Sequence, residues 1–142
     1  MALRIYENST DSVPISSSDT FSNAWTESID GRTGGSIEKK LYVKNDETVY
    51  DYSDIQVYAI QTSGSFDLLA GTKGFSVKFS EGATRPSLEQ WNTIQVDNTI
   101  DLADITDVST ALPFWIRIQV PSNVPVQQVR GIKIAVYATE SL

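Results

Sequence analysis

The chain has 142 residues, 40% of them apolar, and a formal charge of −7 from 18 acidic and 11 basic side chains. This is enough apolar material for one continuous core, and without cysteine no disulfide or thiolate metal site can supplement it, so residues 1–142 read as a single domain stabilised by packing. The absence of histidine excludes Ser-His-Asp, Cys-His and histidine-zinc chemistry, and the acidic balance argues against nucleic acid and anionic membranes, since the basic residues are scattered except for Lys39, Lys40 and Lys44.

The opening Met1–Tyr6 has no apolar run long enough for a signal peptide, and no later run approaches the ~18 apolar residues of a membrane span, so the expectation is a protein made and assembled in the cytoplasm. Leu3 to Tyr6 is a first, short strand candidate. Residues 7–20 are rich in Ser, Thr and Asp with little to bury, and read as a surface loop or as an arm that orders against a neighbour. Ala24 to Ile29 is a further weak strand candidate. Gly31-Arg32-Thr33-Gly34-Gly35 lacks the spacing of a phosphate-binding loop and reads as a turn.

From here the apolar residues alternate with period two, the signature of strands with one buried face. Ile37, Leu41 and Val43 share one face of a strand, and Ile55, Val57 and Ala59 share one face of the next, with a turn at Lys44–Thr48. Phe75 to Phe79 follows as a weaker strand, and Pro86-Ser87-Leu88-Glu89-Gln90-Trp91 as the one helical turn, with the proline in its first turn. Asn92 to Val96 and Thr99 to Leu102 are weaker strands. Phe114–Val120 is the clearest strand of all, with Phe114, Ile116, Ile118 and Val120 on its apolar side, and Ile132–Ala138 repeats the pattern. Pro121, Asn123, Pro125 and Gly131 separate these two, which read as antiparallel neighbours. The expectation is an all-β antiparallel sandwich, jelly-roll-like, of eight or nine strands and at most one short helix.

Little in this pattern points to catalysis. Asp46, Glu47, Asp51 and Asp54 form one acidic grouping and Asp97, Asp101, Asp104 and Asp107 another, but neither has the spacing of a calcium loop and both read as solvated loop acids. No carboxylate pair stands out as a general acid and base. Neither an enzyme nor a cofactor is expected. The aromatics are more informative, because alternation places Tyr42, Tyr58, Trp115, Arg117 and Tyr137 opposite the apolar faces of their strands, where a sandwich should be polar. Large amphipathic side chains there make these five the candidate interface, unless both faces are partly buried within one subunit or cross-strand aromatic pairs cap the sheet.

Gly35–Val43, Asn45-Asp46, Tyr52–Val57, Pro86–Ile94, Asn98–Leu102, Phe114–Pro121 and Gly131–Ala138 together resemble small virion structural proteins of tailed bacteriophages. That resemblance implies a β-sandwich present in many copies on a virion. It would be a head decoration (cement) protein on the major capsid protein, or else a tail, neck or head-tail connector component. Its partners would be other virion proteins and further copies of itself, without nucleic acid or membrane. Negative charge repels packaged DNA and favours the outside of a shell, where many weak contacts add up to firm attachment. A carbohydrate-binding module is the alternative from another class, with Trp115, Tyr58 or Trp91 as stacking surfaces.

Overall fold

The structure, a computed structural model, describes residues 3–10, 16–17, 32–45, 50–64, 76–107, 110–123 and 129–142, with backbone alone for 16–17, 60–64 and 129–133. Eight strands and one helix follow in the order β1 (Leu3–Tyr6), β2 (Ser16–Ser17), β3 (Gly35–Asn45), β4 (Asp51–Gly64), β5 (Ser76–Glu81), α1 (Leu88–Thr93), β6 (Thr99–Leu102), β7 (Ala111–Val120) and β8 (Val129–Ser141). They form a five-stranded sheet, β2-β1-β3-β7-β5, and a three-stranded sheet, β6-β4-β8. All pairings are antiparallel. From β3 onward every connection crosses from one sheet to the other, so the two layers wind together as an all-β sandwich.

The alternation read from the sequence is what builds the core. Leu41 and Val43 of β3, Phe114 and Ile116 of β7, and Val77 and Phe79 of β5 turn inward from the large sheet. Ile55, Val57 and Ala59 of β4 meet them from the small sheet, together with Ile134, Val136 and Ala138 of β8. Ile118 and Val120 lie at the margin, partly buried against the same cluster. In β4 the register slips between Ser53 and Gln56, where Asp54 takes a φ of 51°. This bulge brings both Tyr52 and Ile55 into the core, which strict alternation would forbid.

Three expectations need correction. Phe114–Val120 and Ile132–Ala138 are not neighbours: β7 lies between β3 and β5, whereas β8 pairs with β4 in the opposite layer. Alternation states which side chains face the core, but two strands with apolar inner faces can meet face to face as well as edge to edge. Asn92 to Val96 is not a strand, because α1 runs to Thr93 and Ile94 caps it. Pro86 precedes the helix rather than occupying its first turn: Ser87 is the N-cap, and it exchanges hydrogen bonds with Gln90 in a capping box. The strand expected at 24–29 and most of the 7–20 segment lie outside the described residues.

Of the turn expected at 31–35, the described part is present, with Arg32 and Thr33 in a turn that leads into β3. Gly34 has a φ of 72°, and a Cβ there would come within 2.7 Å of the Ser122 backbone nitrogen. Glycine is therefore required where the start of β3 passes the end of β7. At the other end of β3, Asn45 is a buried polar residue whose amide donates to the Tyr50 carbonyl just before β4.

Candidate interaction surfaces

The five candidate interface residues divide between two opposite sides of the molecule. Tyr42, Trp115 and Arg117 lie on the outer face of the five-stranded sheet, and Tyr58 and Tyr137 on that of the three-stranded sheet.

On the large sheet the register sets up cross-strand rows: Glu38, Arg117 and Lys78; Lys40, Trp115 and Ser80; Tyr6, Tyr42 and Pro113. The first row and Trp115 of the second are engaged by the chain itself. Residues 82–97, including α1, form a strap over β3, β7 and β5, and its anchor is Trp91, 1% exposed yet not part of the sandwich core. The Trp91 indole N–H donates to Glu38, the other Glu38 oxygen takes Arg85 at 2.6 Å, and Lys78 donates to the Trp91 carbonyl at 2.9 Å. Trp115 donates its indole N–H to the Ala83 carbonyl at 3.2 Å, holding the near end of the strap. The Arg85 hydrogen bond is the main cause that holds the Glu38 carboxyl below its usual range, against the opposing effect of desolvation, with Trp91 and the Arg117 charge contributing.

Trp91 was a candidate sugar-stacking ring, and its burial excludes that role. Trp115 is half-buried and engaged with the strap. A capping box, Ser87 followed by Gln90, together with a tryptophan as the one buried residue of a six-residue helix, is the sequence signal that points to such an anchor. Beyond the strap, Lys40 sits 5.3 Å over the Tyr42 ring and Lys44 4.3 Å over that of Tyr6, which is buried despite its outward position.

The small sheet presents two rows, Asp101, Gln56 and Tyr137, then Thr99, Tyr58 and Ala135. Gln56 donates to Asp101 at 3.2 Å, and Tyr137 stands 63% exposed beside it. Asp97 accepts from both the backbone and the hydroxyl of Thr99 and so shapes its own turn. Among the described residues no three acidic side chains gather as a metal site.

Fold and surface together define the class as a two-layer antiparallel β-sandwich with amphipathic rings on both outer faces. Comparison with known proteins adds no narrower family, for no family model, curated protein or solved structure matches the chain.

Proposed function

We propose that the protein is a non-enzymatic virion structural protein of the tailed-bacteriophage kind, a decoration (cement) protein that binds the outer surface of the head shell and stabilises it through many repeated contacts. The carrying observation is that amphipathic rings stand on both outer faces, Tyr42 beside the strap on one and Tyr58 and Tyr137 on the other, so the domain offers neighbours two sides. The resemblance in the strand sequences supports the same reading, as does a chain without histidine or cysteine. A tail, neck or head-tail connector role uses the same architecture and is the second choice. The sugar-binding alternative retains Tyr58 and the Asp101–Gln56–Tyr137 row, but loses Trp91.

Adding purified protein to shells that lack it is the direct test. Uptake at a fixed number of copies per shell, with greater resistance to heat and osmotic shock, is the expected result. Shells that take up no protein and gain no stability would return the reading to the tail or neck.

A further inference from the structure

The strap is attached to the large sheet from outside the sandwich core, and backbone bonds fix its two feet. Gly82 donates its N–H to the Pro113 carbonyl at 3.1 Å, and Asp97 donates to the Val77 carbonyl at 3.1 Å. Between the feet, the strap is bonded to the sheet through the Trp91 indole and Arg85 on Glu38, Lys78 on the Trp91 carbonyl, and Trp115 on the Ala83 carbonyl. Trp91 is buried but does not belong to the core cluster, so this segment can lift while the core stays closed.

Glu38 has a second guanidinium within reach, for it lies directly opposite Arg117 of β7. The bond from Gly82 to Pro113 continues the β5–β7 ladder, so the backbone groups of Pro113, Trp115 and Arg117 point toward β5 and away from β3. Glu38 and Arg117 are therefore a non-hydrogen-bonded pair, the kind in which facing side chains stand closest, with Cα atoms about 4.5 Å apart. Opposite charges so placed are natural cross-strand partners. With the strap in place they do not bond. Both Glu38 oxygens are turned to the strap, and the half-buried Arg117 acts on Glu38 through its charge alone, without a hydrogen-bonded partner among the described residues.

We infer that the strap is a two-state lid latched by Glu38, whose carboxylate holds Arg85 and Trp91 when the lid is closed and passes to Arg117 when it opens. The two states compete for one carboxylate. Opening loses the bonds to the strap but gains an ion pair within the sheet that the closed state forgoes, so Arg117 narrows the free-energy gap between them. The other cations around Glu38 are already engaged, Lys78 with the Trp91 carbonyl and Lys40 over the Tyr42 ring. A neighbour on this side meets the strap and the surface around Tyr42 when the lid is closed, and the outer face of β3, β7 and β5 when it is open. This inference goes beyond the structural-protein reading and is tested without reference to shell uptake.

The test is hydrogen exchange of the Trp91 indole N–H, followed by NMR on the whole chain at neutral pH and low salt, with the resonance assigned through Trp91→Phe and folding confirmed by circular dichroism. Arg85→Gln removes the closed-state partner and should speed exchange. Arg117→Gln removes the open-state partner and should slow it by about two- to fivefold, the worth of one exposed cross-strand ion pair. In a Glu38→Gln background the same Arg117→Gln change should have no effect, because the carboxylate for which the two arginines compete is gone. If Arg117→Gln does not fold, Arg117→Lys takes its place: it keeps the charge that Glu38 feels under the closed lid but lacks the forked grip, and slower exchange is again expected. Exchange that is unchanged or faster in the folded Arg117 variant, slowing that persists in the Glu38→Gln background, or an indole that exchanges only together with the core amides of β3 and β7 would overturn the inference.

Discussion

Gly34 and Gly82, two positive-φ glycines flanking the large sheet, carry different loads. Gly34 combines a φ of 72° with backbone atoms of Val120, Pro121 and Ser122 within 2.8 Å of where a Cβ would stand, whereas Gly82, at 105°, has nothing within 4 Å. Gly82→Ala should therefore cost only the conformational penalty, about 1 kcal/mol. Gly34→Ala adds a clash with backbone that cannot rotate away, so about 2–4 kcal/mol is expected. Urea unfolding of the two variants side by side measures the difference, and equal losses would mean that the approach of β3 to β7 is looser than described. The turn itself was readable from Gly31–Gly35. Which glycine was indispensable was not, because that depends on a residue almost ninety positions later.

Among the elements, the strap over the large sheet gives the clearest pH prediction. Its central ionisable contact is Glu38, whose carboxyl is held below the ordinary value of about 4.3, chiefly by the hydrogen bond from Arg85. A depressed carboxylate pKa contributes stability that is complete above the unfolded value and lost as pH falls through the lower folded value. Hydrogen exchange at the Trp91 indole N–H should thus stay slow through neutral and mildly acidic pH and accelerate below the ordinary glutamate range. Glu38→Gln keeps an acceptor for Trp91 but removes the charge pair with Arg85. It should speed that exchange at neutral pH and remove its acid dependence, leaving core amides of β3 and β7 protected. Core amides opening together with the indole would show that strap and sandwich form one cooperative unit.

For the molecule as a whole, topology governs how the chain reaches this state. Leu41 pairs with Phe114 and Val57 with Val136, and no two consecutive strands from β3 onward pair with each other. Nearly all the sheet must be closed by loops of great length before its contacts stabilise it. Refolding from denaturant should accordingly take milliseconds to seconds, slow for a domain of this size. Stopped-flow refolding completed well below a millisecond would mean that long-range pairing is not the limiting event.

Period-two alternation revealed the fold class and the inward faces of the clearest strands, Leu41, Val43, Ile55, Val57, Phe114 and Ile116 among them, but not Tyr52 before the β4 bulge or Ile105 outside any strand. A strand displays its two faces locally, through the geometry of its own backbone. Strand neighbours are a different matter: β7 and β8 both read as half-buried strands, and only packing across the core places them in opposite layers. The outer surface was legible to the same extent. Tyr42, Tyr58, Trp115, Arg117 and Tyr137 all lie on outer faces as alternation requires, yet their division between two sides and the burial of Trp91 over Glu38 arise from contacts between distant segments. No local period encodes such contacts, because each rests on where another part of the chain comes to lie.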